Sequence, residues 1–288
     1  MNTCSLFFYH EVIGHFRKKD IEKLKYLKGF WSSIAAAHYE KRRDLTVHLA
    51  PNTYYQRCNV ELEVLCDNVP VRFEIDPAYD RVRTIAVGGP ERHRRGAVLE
   101  TILATICKVA AACYLTVNVD ATEEFWDPLF DGLRQCAGLS EISLSNYGVK
   151  ACQFIKEQID LGAVKALDLS YERQWPTDLQ GCLSSFVKSS SFTKLTIAGS
   201  NLTLDIEMVS CFLDRFFKGE LKKGAGLFGV PSFHWNKILK LFPNGTSSRG
   251  RWPKTHRSVH WTSPVYRRKL EMFRDSYRSI SLSVCQLK

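Results

Sequence analysis

No stretch of these 288 residues is apolar for long enough to cross a bilayer. The longest candidate, 96–119, is interrupted by Glu100, Lys108 and Asn118, whereas a span needs roughly 20 apolar residues. A basic n-region is also missing. Leu6-Phe7-Phe8-Tyr9 runs straight into His10 and Glu11, so no signal peptide is expected. There is no CxxC pair, no zinc-ligand spacing, no Walker A, no GxSxG and no EF-hand loop. Gly224-Ala-Gly-Leu-Phe-Gly229 matches GxGxxG in letters, but it follows two lysines rather than a strand and so lacks the context that phosphate binding requires. His256 and His260 stand four apart without the glutamate of HExxH, and His10 and His15 fall in the first helix. Asp and Glu are too scattered to nominate a general acid and base. These absences predict a protein with no catalytic residues, metal or cofactor of its own.

Disorder is excluded by what is present. Hydrophobic residues make up 45% of the chain and aromatics 12%, ample for a core. Ten cysteines stand at 4, 58, 66, 107, 113, 136, 152, 182, 211 and 285. Cys107, Cys152, Cys182 and Cys211 fall on apolar helix faces, where a free thiol packs as a small hydrophobe. The expectation is a reduced, intracellular protein of the cytoplasm or nucleus, in which the sequons at Asn201 and Asn244 carry no sugar.

The charge is uneven. Residues 218–288 hold 15 Lys/Arg and 3 Asp/Glu, whereas the rest of the chain is slightly acidic, within a total of +10. In that last quarter Lys222, Lys223, Arg249, Arg251, Lys254, Arg257 and Arg267–Lys269 alternate with Trp235, Trp252, Trp261 and Tyr266. Cations with interleaved aromatics suit nucleic acid through phosphate contact and base stacking. The alternative is a solvated surface with the aromatics packed beneath it.

Periodicity divides the chain into four segments. Residues 1–44 read as helices, with Asp20 as N-cap for Ile21–Lys28, Gly29 as a break and Trp31, Ile34, Ala35 and His38 at helical spacing. Residues 45–81 read as a small antiparallel sheet. Leu45, Val47 and Leu49 alternate, as do Val60, Leu62 and Val64, then Val71, Phe73 and Ile75, with a turn at Asp67-Asn68. Residues 82–220 repeat a strand pattern followed by a helix. The strands are Val82-x-x-Ile85-x-Val87, Ala112-x-x-Leu115-x-Val117, Leu139-x-x-Ile142-x-Leu144, Val164-x-x-Leu167-x-Leu169 and Phe192-x-x-Leu195-x-Ile197. The helices fall at 95–110, 123–135, 149–160, 178–188 and 205–217, and successive strands start 30, 27, 25 and 28 residues apart. Residues 221–288 form a basic terminal region, with a helix over Pro264–Ser279 and strands at Val259–Trp261 and Ile280–Leu282.

A strand–helix unit of about 25–30 residues cannot bury its apolar face alone and must stack on its neighbours. The fold class is therefore read as α/β, a leucine-rich-repeat-like horseshoe, with an ordinary βα sheet as the alternative. In a horseshoe the residues between the strand apolars face the concave side. Tyr114, Asn118, Glu141, Ser143, Asp168, Lys194 and Thr196 are the partner-binding candidates, with Thr84, Ala86, Thr116 and Ala166 beside them.

Leu6, Val12, Ile13, Phe16, Asp20, Ile21, Leu24, Leu27 and Trp31 carry a resemblance to the F-box. With the degenerate repeats, the chain resembles F-box proteins of the divergent type expanded in nematodes. It departs from the pattern at the start, where Phe7 follows Leu6 in place of proline. The resemblance implies a substrate receptor of a cullin-type ubiquitin ligase. Leu6, Val12, Ile13, Phe16, Ile21, Leu24, Leu27 and Trp31 would contact the adaptor subunit, and the repeats would hold an unknown target protein.

Overall fold

The structure is a computed structural model, and the residues it describes are 6–14, 16, 18–51, 59–88, 95–119, 121–170, 174–248, 257–263, 265–274 and 279–287. Leu6 and Phe7 are described as backbone only, and His15, Arg249, Arg251, Trp252, Lys254, His256 and Pro264 lie outside the described residues. The chain divides into two compact units, Met1–Ser140 and Glu141–Lys288.

The first unit opens with three helices, α1 (Leu6–Gly14), α2 (Lys18–Leu24) and α3 (Phe30–Lys41). Ile13, Ile21, Ile34 and Ala35 bury completely or nearly so between them, with Tyr9, Leu24, Trp31 and Tyr39 packed around. Asp20 lies inside the first turn of α2 rather than capping it, and α2 ends at Leu24, so Leu27 falls in the turn that follows. Gly29, at φ 78°, starts α3 from a conformation that a side chain would strain.

The sheet of this unit comprises β1 (Arg43–Pro51), β2 (Asn59–Cys66), β3 (Val69–Val71), β4 (Asp80–Val87), β5 (Arg95–Val98) and β6 (Ala110–Val117). β1 pairs antiparallel with β2 and parallel with β4, and β4 pairs parallel with β6. The expected small antiparallel sheet thus continues into the first strand of the repeats. Asp67 and Asn68 both take positive φ, as a two-residue hairpin turn between β2 and β3 demands. The third expected strand stops early, because Phe73 and Ile75 are not in a strand. β5 takes the edge they would have used, with Leu62 pairing with Arg95 and Val60 with Ala97. For the same reason the helix expected from residue 95 begins only at Leu99, as α4 (Leu99–Val109). α5 (Glu123–Leu133) follows β6 and packs beside α4.

In the second unit β7 (Leu139–Ser143, beginning at the unit boundary), β8 (Ala166–Asp168), β9 (Lys194–Thr196) and β11 (Gly226–Pro231) pair in parallel and in chain order. β10 (Thr203–Leu204) adds to β11. Between the strands run α6 (Val149–Asp160), α7 (Leu179–Lys188) and α8 (Ile206–Phe217), each packed on the next. The central strand residues Ile142, Leu167, Leu195 and Leu227 are buried at 0–1% exposure.

Within the second unit, side chains tie one strand–helix layer to the next across 21 to 26 residues of sequence. Gln180 Nε2 donates to Thr203 O at 2.7 Å, and Thr203 N donates back to Oε1 at 3.2 Å. Asn201 brackets Trp175, accepting from its N–H at 2.7 Å and donating to its carbonyl at 2.8 Å. Asp205 caps α8 through Met208 N at 2.8 Å and accepts from Ser184 Oγ of α7 at 3.0 Å.

After α9 (Trp235–Leu241) the sheet continues antiparallel through β15 (Ile280–Gln286), β14 (Arg268–Arg274), β13 (Arg257–Ser263) and β12 (Thr246–Ser248). The helix expected over Pro264–Ser279 is therefore a strand in its described core. Leu270 and Met272 alternate inward with period two, and the neighbours Trp261, Leu282 and Val284 close over them.

Candidate functional site

The helical head is fastened to its sheet by arginines. The Arg42 side chain is fully buried and donates from Nη2 to Gly14 O and Phe16 O, both at 2.9 Å. Arg81 Nε reaches Gly14 O at 3.0 Å, and Arg83 Nη2 reaches Phe16 O at 3.0 Å. These are carbonyls at the C-terminal end of α1, where the helix dipole favours cations. Asp44 balances the cluster, accepting from Arg42 Nε at 3.4 Å and Arg83 Nε at 3.1 Å. Beside it His10 Nδ1 and His38 Nε2 meet at 2.9 Å. Burial first, then the charges of His10, Arg42 and Arg81, push the His38 imidazole down to about 4.

Anchored this way, the head presents apolar groups outward. Phe30 is 65% exposed, Tyr26 82%, Leu27 47% and Phe8 48%. Tyr9 links them inward, its ring 6.0 Å from Phe8, 6.4 Å from Phe30 and edge-on to Trp31 at 4.6 Å. Of the adaptor candidates, Ile13 and Ile21 are buried and hold the head together, and Val12, Leu24 and Trp31 are half-buried. Phe16 and Leu27 are exposed, whereas the Leu6 side chain lies outside the described residues. The spacing pattern did not single out Phe8, Tyr26 or Phe30. No spacing signal separated them, since Phe30 stands four residues before the buried Ile34 and so keeps the helical period of the inner stripe.

The partner candidates fall on strands of both units. In the first unit Tyr114 pairs with Thr84 and Thr116 with Ala86, and Tyr114 and Asn118 are exposed. In the second unit the cross-strand register forms two rows. Glu141, Ala166 and Lys194 make one, continued by Gly226, Ser283, Glu271 and His260. Ser143, Asp168 and Thr196 make the other, continued by Phe228, Ser281, Phe273 and Ser258. Glu141, Lys194 and Phe273 are exposed, whereas Ser143 and Thr196 are buried. Asp168 is occupied at home, accepting from the backbone N–H and hydroxyl of Ser170. Lys269 Nζ pairs with Glu271 at 2.7 Å. The rows beyond Lys194 were missed because the segment carrying Glu271 and Phe273 reads as helical in sequence.

The aromatics of the basic quarter fare differently. Trp235 and Trp261 are buried, and Trp261 Nε1 donates to Phe242 O at 3.2 Å, so neither can stack on a base. Tyr266 is exposed. Among the described residues no group of three or more His, Cys, Asp or Glu is placed to hold a metal ion, and no helix is long and apolar enough to cross a membrane. A scan of the chain against models of known families finds no match, and neither does a search of curated proteins.

Proposed function

We propose that the chain is a non-catalytic protein–protein recognition module, a substrate receptor of a cullin-type ubiquitin ligase. The observation that carries this reading is the apolar shell of the head. Phe8 and Phe30 on their helices, and Tyr26 and Leu27 in the turn between α2 and α3, stand in solvent around a core that is already complete. Exposed apolar groups set on a rigid base are what a helical partner surface needs. The repeat reading supports the same role. Parallel strands in chain order, with helices packed in succession and amide clamps between layers, fit a leucine-rich-repeat-like horseshoe. Its helix-free strand face, with Glu141, Lys194, Glu271, His260 and Phe273, is the proposed seat of the target. Cysteines that are free among the described residues suit a reducing cytoplasm or nucleus.

The test is a pull-down of purified adaptor subunit by the full chain and by a Leu27→Asp, Phe30→Asp variant. Both substituted side chains are largely in solvent, so circular dichroism should show an unchanged fold. Capture by wild type and its loss in the folded variant support the reading. No capture by folded wild type removes it. The second reading, nucleic-acid binding through the basic quarter, keeps its charge and the exposed Tyr266 but loses Trp235 and Trp261, which are buried. It predicts binding that weakens steeply with salt.

A further inference from the structure

One end of the second unit gathers four chain segments. Arg268 Nη1 donates to Gly219 O at 3.3 Å and to Leu221 O, which holds the turn before β14 against the turn after α8. The Tyr266 ring lies against Gly219, leaving no room there for a Cβ. Phe217, at the end of α8, stacks on Phe242 at 6.1 Å and 18°, which brings in the end of α9. Leu287 N donates to Arg267 O at 3.0 Å, and Gly224 N to Val284 O at 2.9 Å, which adds the end of β15.

The side chains at this end are of two kinds. Val265 is 81% exposed and Leu241 52%, with Phe217 and Tyr266 also in solvent. Around them Lys218, Lys222, Lys223, Lys240 and Arg267 are exposed or nearly so. Among the described residues none of these five cations pairs with a carboxylate, and Glu220 is taken by Arg215 at 3.2 Å. Unpaired cations ringing exposed aliphatic and aromatic groups match the boundary of an anionic bilayer, where apolar groups enter the acyl region and cations meet the headgroups.

We propose that this end of the second unit docks on an anionic membrane surface, with Val265, Leu241, Phe217 and Tyr266 entering the interface. The aliphatic pair decides between a bilayer and a nucleic acid. Val265 and Leu241 have no π-face to offer a base, and their exposure is relieved only in an apolar medium. The proposal is independent of the ubiquitin-ligase reading, since it uses none of the residues of the head or of the strand rows.

The experiment is co-sedimentation of the full chain with vesicles of phosphatidylcholine alone and of phosphatidylcholine mixed with phosphatidylserine. Wild type should pellet with the mixed vesicles and stay in solution with the neutral ones. A Lys222→Glu, Lys223→Glu, Arg267→Glu variant should bind at least about a hundredfold more weakly, at roughly fivefold per basic residue, and a Val265→Asp, Leu241→Asp variant at least about tenfold more weakly through lost apolar burial. A Val265→Trp variant adds a readout that does not depend on a loss, because brominated lipid should quench its emission more than that of wild type. Failure of wild type to pellet with anionic vesicles overturns the proposal. So does full vesicle binding by the folded aspartate variant. Displacement by single-stranded nucleic acid with the aspartate variant unaffected would assign the patch to nucleic acid instead.

Discussion

His38 is the side chain whose surroundings most clearly set its protonation. It is neutral in the fold because burial and the nearby His10, Arg42 and Arg81 disfavour a second charge, with its titration moved from 6.5 to about 4. The unfolded chain therefore takes up more protons between these values. Stability is complete above pH about 6.5 and falls as pH drops towards 4, by up to about 3 kcal/mol. Urea midpoints recorded across that range should show the fall, and a His38→Asn variant should lack this part of it; an unchanged slope would remove His38 from the account. A second residue-scale expectation concerns Cys107. Its thiol is held well above the ordinary range by its hydrogen bond with Cys136, then by burial, and it lies 3.6 Å from Gly132 O. Iodoacetamide should label it slowly in the native protein and readily in urea, followed by peptide mass spectrometry.

Two helices end on the same device. Arg42, with Arg81 and Arg83, covers the last carbonyls of α1 and the turn beyond. Arg215 of α8 covers Val187 O at 2.7 Å and Ser189 O at 2.9 Å at the end of α7. Each arginine supplies the donors that the helix end lacks and places a cation at the negative pole. An Arg215→Met variant keeps much of the packed stem but leaves those carbonyls bare, and it should lose about 2–3 kcal/mol. The loss is expected as faster amide exchange in the last turn of α7, with the antiparallel strands β13 and β14 little changed. Equal acceleration throughout the unit would mean that Arg215 acts by packing alone.

At the scale of the whole molecule, the helices of the second unit pack each on the next, α6 on α7 and α7 on α8. Phe212 is fully buried on α8 and meets Phe192 edge-on at 6.1 Å, itself 5.2 Å from Phe186 of α7. Phe212→Ala empties part of that seam and should cost about 3–5 kcal/mol, read from denaturant unfolding. Exchange should quicken first in α7, α8 and β9, as expected of units coupled to their nearest neighbours. A loss below about 1 kcal/mol would show that the neighbouring aromatics close the gap.

Wherever one local period governs, the sequence was enough. α6 and the strand at Ile142 fall where the spacing of Cys152, Ile155 and Leu139-x-x-Ile142 places them, because a stripe with one period can be buried in only one secondary structure. The Asp67-Asn68 turn was legible for a similar reason, since both residues tolerate positive φ. Tertiary pairing decided the rest. β5 took the edge that Phe73 and Ile75 would have used, a competition between segments more than 20 residues apart that no local pattern records. Residues 268–274 became a strand because β13 and β15 lie on both sides of them, and backbone hydrogen bonds to two neighbours outweigh a weak helical spacing. The candidate surfaces divide in the same way. The apolar letters of the head could be read in order, but only packing decided that Ile13 and Ile21 turn inward while Leu27 and Phe30 remain in water. A side chain's exposure depends on what else the chain brings to it.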